Sequence, residues 1–329
     1  MNDASSRAAT PVLTWPGNGS GSSALVHRHR ARRSGHVRIL PTSSSPTPPS
    51  LRNCEGTSFF DALTTLTAVG AVTERIQLGT GSLIPFRHPL ITALMVGTMT
   101  HLVGPRVILG FGAGTFDHEF DVVGMGDADR GELVRSNAEI LKRVFTENDV
   151  SYKDEYFEFN DVSIEPKPLG GRVPVWYCGA TPRSARLAVE FCDGWMPGRI
   201  SLATMAKRIE TMDELAGQQG KKRPTIAVIP PTSIESTREE ALKHVNIPGL
   251  LAWANKAKFA VKPPSGRFET VEDLEGQLIA GSPADAVAEC RKFEAIGTEH
   301  IVFDFRFKFD KWYEQIELLG NEVLPHLKG

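Results

Sequence analysis

Three short segments of the same design occur in order along this chain. Each is an apolar run, rich in β-branched residues, that ends in glycines and is followed by a helical pattern. They are Arg75-Ile-Gln-Leu-Gly-Thr-Gly-Ser82, Arg106-Val-Ile-Leu-Gly-Phe-Gly-Ala-Gly114 and Val173-Pro-Val-Trp-Tyr-Cys-Gly-Ala180. Strands that alternate with helices predict a parallel sheet, and ligands of such sheets bind at the carboxyl ends of the strands. The glycines therefore mark the edge where we expect the functional site.

The alternation of strands and helices continues to the end of the chain. Predicted helices cover 60–71, 90–102, 129–145, 184–192, 202–216, 238–258, 283–293 and 312–326, and further strands cover 225–229 and 300–305, with a hairpin at 152–164. This gives about six strand-helix units, whereas a closed barrel has eight. We therefore expect an α/β fold of the TIM-type (β/α)8 barrel class that lacks its first two strands. The edges of an open sheet favour aggregation or dimer formation.

Length and composition predict one folded domain behind a different N-terminal segment. The chain has 329 residues, of which 41% are hydrophobic, enough for one large core. Residues 1–50 are rich in Ser, Pro, Gly and Arg and lack periodicity. We expect a disordered or non-homologous leader over 1–55 and the folded domain over 56–329. An organelle transit peptide and a polyanion-binding arm are the alternatives for this leader.

Charge, hydropathy and cysteine usage argue against several classes of protein. The whole chain has 37 Lys and Arg against 39 Asp and Glu, and six of the arginines lie within residues 1–50, so the body is acidic. An acidic body disfavours a nucleic-acid partner. No apolar run is long enough to span a membrane. The four cysteines show no paired ligand spacing, so we expect no metal site and a reducing, cytoplasmic location.

Four motifs in a fixed order resemble the luciferase-like monooxygenase family, which comprises flavin- and F420-dependent β/α-barrel enzymes. The resemblance covers residues 59–329. Its motifs are Ile76-Gln-Leu-Gly-Thr-Gly81 with Arg87-His-Pro89, Gly104-Pro-Arg-Val-Ile-Leu-Gly-Phe-Gly-Ala-Gly114, Pro166-Lys-Pro168 before Val175-Trp-Tyr177, and Asp193-Gly-Trp195. The family implies an oxidoreductase that uses F420 or reduced FMN on a small organic substrate.

The resemblance also implies where the cofactor ring binds. It places a bulge with a non-prolyl cis peptide at Gly81-Ser82, against one face of the ring. Thr80, Gly81, Ser82 and Ile84 then belong to the first strand tip, and Gly112, Ala113 and Gly114 to the second. A plain turn is the alternative for Gly81. A dinucleotide fingerprint at the second tip is disfavoured, because the next helix starts late and no ribose-binding acid follows.

Two further assignments concern the ends of the cofactor. The segment Gly179-Ala-Thr-Pro-Arg-Ser184 opens a helix, and the resemblance assigns Gly179, Ala180, Thr181, Arg183 and Ser184 to the cofactor phosphate. A simple helix cap formed by Thr181 is compatible with that role. His118 is the candidate catalytic residue, as a proton donor, and a solvated loop histidine is the alternative. The acidic tail of F420 is matched in charge by Arg183, Arg186 and Arg199. The alternative is that these arginines are solvated helix residues.

Function remains open between several hypotheses at this level. The second glycine run looks most like the F420-dependent branch. One branch places a glutamate after these glycines as the acid for a sugar phosphate, and Thr115 occupies that position here, which argues against that substrate. An inactive or cofactor-binding remnant with an incomplete barrel is the main alternative. A nucleic-acid binder that uses the basic leader is a weaker one. We also expect a homodimer.

Overall fold

The computed structural model describes residues 60–114 and 117–327, except for the side chains of His118 and Phe309. The leader predicted for 1–55 and the residues Cys54 and Thr115 lie outside this range. The helices are α1 (Ala62–Ala71), α2 (Pro89–Val103), α3 (Asp117–Asp121), α4 (Arg130–Val144), α5 (Pro182–Phe191), α6 (Leu202–Gln218), α7 (Arg238–Lys243), α8 (Ile247–Lys256), α9 (Pro283–Ala295) and α10 (Trp312–Leu318). The strands are β1 (Leu78–Gly79), β2 (Val107–Gly112), β3 (Val150–Lys153), β4 (Glu158–Val162), β5 (Val175–Cys178), β6 (Gly194–Trp195), β7 (Thr225–Val228), β8 (Thr232–Ile234), β9 (Ile279–Gly281) and β10 (His300–Ile301).

Six parallel strands form the central sheet of the described residues. Their order is β1-β2-β5-β6-β7-β10, and every neighbouring pair is parallel. Parallel neighbours need crossover connections, and α2, α5 and α6 each lie between two of these strands in the chain. The predicted α/β class is confirmed, and β6 joins this sheet although the sequence did not predict a strand there. All six carboxyl ends meet at one edge, as the sequence pattern predicted.

The two faces of the sheet have different apolar surroundings. Alternate strand residues such as Leu109, Val175 and Trp195 join the large core beneath the helices. The opposite face carries a smaller cluster, formed by Ile108, Trp176, Met196, Ala227 and Val302. There the indole of Trp176 covers Gly194 so closely that a Cβ on this glycine would lie 2.5 Å from the ring.

A second, two-stranded parallel sheet was not predicted. It pairs β8 with β9, and Thr232 lies opposite Ile279. Three-residue strands are too short to show a period in the sequence. A bridge between Pro231 and Asp304 joins this pair to the end of the main sheet, and α7 and α8 cover it with a small apolar core of their own.

The apolar spacing in α2 predicts a buried stripe, and the structure buries a different face; the predicted stripe is Leu90, Ala93, Leu94, His101 and Leu102. Ala93 is buried as expected, but Leu94 and Leu102 are exposed, with 44% and 65% of their surface accessible, whereas Val96 and Met99 are buried. The helix is apolar almost all round, so its sequence pattern does not distinguish the two faces. The prediction of a stripe through Leu94 and Leu102 was wrong for this reason.

Several predicted ends also differ from the structure. The helix expected over 238–258 is two helices, because Asn246 caps α8 and Pro248 follows at its start. The strand expected over 300–305 is the short β10, and a 3-10 segment runs from Arg306 to Lys311. The start of α9 is as predicted: Ser282 accepts a hydrogen bond from the Asp285 amide. None of the helices described combines the length and apolar character that a membrane crossing requires.

Candidate functional site

The carboxyl end of β1 contains a bulge at the position that the sequence singled out. Gly79 lies opposite Ile108 and Leu83 lies opposite Phe111, so four steps along one strand match three along the other. The extra residue falls between Thr80 and Leu83. The Gly81-Ser82 peptide is trans, and the cis peptide recorded among the described residues precedes Pro166. The predicted bulge is thus present, whereas the predicted cis bond was wrong, because one inserted residue forms the bulge with trans bonds.

Thr80 holds this bulge against β2. Its side-chain oxygen donates to the Gly110 carbonyl over 3.0 Å and accepts from the Gly110 amide over 2.8 Å. The residue is almost completely buried. The Thr80 hydroxyl thus supplies hydrogen bonds to the Gly110 backbone where the bulge interrupts the backbone hydrogen bonds between the strands. Thr80 therefore contributes to the site by fixing the strand tip.

The glycines at the tips face atoms of the protein itself. A Cβ on Gly112 would overlap the Ser82 hydroxyl, and one on Gly114 would lie 2.8 Å from the ring of Phe120. A Cβ on Gly179 would lie 2.9 Å from Ser184 Cβ. The glycines let neighbouring tips approach one another closely. Gly114 also has a φ of 73°, a conformation that favours glycine.

Residues of α3 pack behind the carboxyl ends of β1 and β2. The Phe120 ring packs edge-on against Phe86, with 5.5 Å between the centroids, and the Arg130 guanidinium lies 4.3 Å from the Phe120 centroid. Ile84 is within 3.5 Å of the Cβ position of Gly114. The backbone of His118 lies in this helix. Its side chain lies outside the described part, so its role as a proton donor stays a prediction.

The first turn of α5 is a capped helix N-terminus. Thr181 Oγ1 accepts from the Ser184 amide over 3.1 Å, and Ser184 Oγ donates to the Thr181 carbonyl over 2.8 Å. Pro182 has no N–H. The Arg183 amide is therefore the first-turn donor that remains for an anion. Thr181 Oγ1 is the acceptor in its bond with the Ser184 amide, so the hydroxyl proton is a second donor at this helix start.

The side chain of Arg183 already has two anionic partners on α4. It donates to Asp129 over 2.8 Å and to Glu132 over 2.9 Å. The hydrogen bond with Asp129 raises the pKa of Arg183, and the same bond lowers the pKa of Asp129. These carboxylates offset its charge, so an anion at this helix would depend more on the backbone dipole than on Arg183.

A second group of charged residues lies at the other half of the carboxyl edge. Asp304, which follows β10, accepts from Arg306 Nε over 2.7 and 2.9 Å. Arg199 follows Gly198, which is bridged to Ile229 at the end of β7. Sequence reasoning named Arg199 as a possible tail contact but missed Asp304 and Arg306. The Asp-Phe-Arg pattern directly after the last strand was the available signal.

The predicted cofactor residues form a continuous shelf of small side chains. Gly81, Ser82, Ala113, Gly114, Gly179 and Ala180 are all partly exposed, while their strands are buried. The Cys178 carbonyl lies 3.5 Å from the Cβ position of Gly112, which joins the tips of β2 and β5. No cluster with the composition of a metal site occurs within 60–114 and 117–327.

The family model for luciferase-like monooxygenases matches residues 47–300, more than half of the chain. The chain belongs to the luciferase-like monooxygenase family. This confirms the resemblance drawn from the four motifs. The names of proteins that this chain is similar to mention F420 in one case and FMN in another.

Curated relatives of this luciferase-like protein include an F420-dependent dehydrogenase and a reductase. It is 26% identical over 285 residues to an F420-dependent glucose-6-phosphate dehydrogenase of Intrasporangium calvum, covering 82% of this chain and 84% of the relative. It is 25% identical over 291 residues to a 5,10-methylenetetrahydromethanopterin reductase of Archaeoglobus fulgidus, covering 80% and 86%. At the family level the protein is therefore an oxidoreductase.

The fold of the luciferase-like protein also has solved counterparts. One is a type II Baeyer-Villiger monooxygenase, the oxygenating constituent of 3,6-diketocamphane monooxygenase from Pseudomonas putida in complex with FMN. The TM-score is 0.69 at 18% identity, over 88% of each chain. At this identity the likeness shows a shared fold of the TIM-barrel type.

Proposed function

We propose that this protein is an F420-dependent oxidoreductase that transfers hydride between the deazaflavin and a small organic substrate. The observation that carries the proposal is the bulge at Gly81-Ser82, which lies beside a shelf of small residues on neighbouring strand tips. The F420-dependent activity named for several curated relatives favours F420 over FMN. When bound, the deazaflavin supplies a carbon that accepts or gives up hydride.

We assign the residues of the shelf to binding and orientation. Gly81, Ser82 and Ile84 would support one face of the ring, while Gly112, Ala113 and Gly114 line the cleft beside it. Thr80 keeps the bulge in position through its two hydrogen bonds to Gly110. The small side chains of the shelf would let a ring lie close to the strand tips, so that water would be kept from the reacting face.

The cofactor phosphate would bind at the start of α5. The Arg183 amide and the Thr181 hydroxyl are the donors, and Gly179 and Ala180 allow the backbone to approach closely. Ser184 orders the turn through its bond to the Thr181 carbonyl. The Arg183 side chain adds positive charge that Asp129 and Glu132 partly offset. His118 remains the proposed proton donor.

We infer that the described sheet corresponds to six of the eight barrel strands and lacks the first two. Its outer strands β1 and β10 are the ends of the observed order. A barrel that lacks two strands favours one second candidate, a remnant that binds the cofactor without turnover. We further propose a homodimer, a cytoplasmic location and a small-molecule substrate.

Titration of the purified full chain with F420 and, separately, with FMN tests the proposal. We expect the fluorescence of F420 to change on binding, with weaker binding of FMN. The variant Gly81→Val should abolish binding, because a branched side chain would occupy the face of the ring, while Gly217→Val on an open helix face serves as the control. Failure of both cofactors to bind would overturn the proposed function. Binding without hydride transfer to any of a panel of alcohols, aldehydes and imines would support the remnant.

A further inference from the structure

Asn137 is a polar side chain within the large apolar core. It lies on α4 and is fully buried, on the same helix as the core residues Leu133 and Leu141. Its amide nitrogen donates two hydrogen bonds, to the Pro85 carbonyl over 3.1 Å and to the Leu133 carbonyl over 2.9 Å. Both acceptors are carbonyl oxygens, which fixes the orientation of the amide. Asn137 Oδ1 is buried and has no hydrogen-bond partner among the described residues.

The buried oxygen makes Asn137 an unfavourable residue for packing alone. Burial of an amide oxygen without a hydrogen bond costs free energy, and an apolar side chain at this place would avoid that cost. The bond to Leu133 stays within α4, whose backbone is already hydrogen-bonded as a helix. The bond to Pro85 instead connects α4 with the loop after β1, across 52 residues of sequence. The contribution specific to Asn137 is therefore made at that loop.

The loop after β1 is held on both sides of Ile84. Before it, the Leu83 amide donates to the Gly110 carbonyl over 2.7 Å. After it, the Pro85 carbonyl accepts the bond from Asn137. Because proline has no N–H, this carbonyl is the one backbone group through which Pro85 can form a hydrogen bond. Ile84 thus lies between a residue anchored to β2 and a residue anchored to α4.

We propose that Asn137 is a positioning residue that sets the place of Ile84 against the cofactor ring through the Pro85 carbonyl. This inference rests on the proposed function, in which Ile84 supports one face of the ring. A strand tip that is ordered in advance binds a rigid ring without losing further conformational freedom. Without the bond from Asn137, the loop would have to be ordered when the ring binds, and Ile84 would support the ring less closely.

Hydrogen exchange and F420 titration of the full chain test this assignment with Asn137→Leu, which keeps the branched shape and removes the N–H donors. In the ligand-free protein we expect faster exchange of the Ile84 and Phe86 amides than in the wild type. We expect F420 to bind roughly three- to tenfold more weakly, the equivalent of one lost hydrogen bond. The absorption maximum of bound F420 should also shift, because the support of the ring has changed. Asn137→Ala is the second variant if leucine prevents folding.

Ser136→Ala is the matched control on the neighbouring position of α4. The Ser136 side chain is also fully buried, but it donates to the Glu132 carbonyl and to Asp154, on the side of the β3–β4 hairpin. This variant loses a buried hydrogen-bonding group of the same helix without touching the loop after β1. We expect a lower melting temperature in circular dichroism, with wild-type exchange of Ile84 and a wild-type spectrum of bound F420.

Unchanged exchange in the Asn137 variants, or unchanged F420 affinity and spectrum, would overturn the assignment. Equal effects of Ser136→Ala would overturn it too, since they would reflect lost stability of α4. If the wild type binds neither F420 nor FMN, the proposed function fails and the role toward the ring fails with it. Faster exchange in the Asn137 variants would in that case still assign the ordering of the loop to Asn137.

Discussion

Gly112 shows at the level of a single residue how the structure changes the meaning of a motif. The resemblance assigns it to the cofactor cleft, and in the structure its missing Cβ makes room for the Ser82 hydroxyl. The glycine is thus required by the fold before any ligand binds. Gly110 is similar, because a Cβ there would lie 2.8 Å from Cys178 Sγ.

Gly112→Ala should therefore destabilise the protein by about 1–3 kcal/mol, the usual effect of overpacking a filled position. Urea denaturation measures the free energy of unfolding. The double variant Gly112→Ala with Ser82→Gly should recover part of the loss, because the overlapping hydroxyl is removed. Gly217→Ala is the control, since no atom lies within 4 Å of its Cβ position and helical alanine stabilises by up to about 1 kcal/mol. A stable Gly112→Ala protein would show that the bulge moves freely.

Glu235 connects two elements that are distant in the sequence. Its carboxylate is an acceptor for Lys308, whose side chain is fully buried, and lies 3.6 Å from Lys311 Nζ and 3.4 Å from His244 Nε2. Glu235 follows β8, whereas Lys308 lies in the 3-10 segment after β10. This ion pair fastens the small β8–β9 sheet to the end of the main sheet.

Glu235→Gln should destabilise the protein by about 3–5 kcal/mol, because Lys308 would remain buried without a counter-charge. The hydrogen bond from Lys308 is the largest cause that lowers the pKa of Glu235. Its stabilisation is therefore present above the ordinary value of 4.5 and is lost as the pH falls through the lower folded pKa. Denaturation of wild type and variant from pH 7 to pH 3 should show the difference shrinking. Glu240→Gln, at an exposed pair with Lys243, should have little effect.

At the level of elements, sequence periodicity predicted helices and strands that bury one apolar face. It missed pairings between segments that lie far apart in the sequence. Five of the six main strands, all except β6, and α4, α6 and α9 could be placed from their sequence patterns. The β8–β9 pair is made by residues 232 and 279, which no local pattern connects. The Asp304–Arg306 pair was also missed, although its two residues are close in the sequence. The bulge followed from family resemblance, and its trans geometry required the structure.

The whole molecule presents an apolar surface on α2 that monomeric proteins seldom leave uncovered. Ile91, Leu94 and Leu102 are exposed on this helix, and Phe60 is exposed at the start of α1, which packs against α2. Their exposed fractions range from 44% to 65%. We expect two copies of the chain to associate through this face.

Sedimentation velocity over a range of concentrations should show a dimer of the wild type. The double variant Ile91→Lys with Leu102→Lys should shift it to monomer while the melting temperature of the monomer changes little, because both side chains lie outside the core. Val122→Lys, at a position 80% exposed and remote from α2 in the chain, controls for added charge. A wild type that stays monomeric at all concentrations would contradict this prediction.

The order of strands in the main sheet has a consequence for how such a protein diversifies. Under the proposed function, the residues that would hold the cofactor lie between 80 and 184, on the tips of β1, β2 and β5, whereas the tips of β6, β7 and β10 come later in the chain. Genetic exchange of the part after residue 198 would then leave the proposed cofactor contacts in place. Lineages built on this layout could replace one half of the carboxyl edge in a single recombination event.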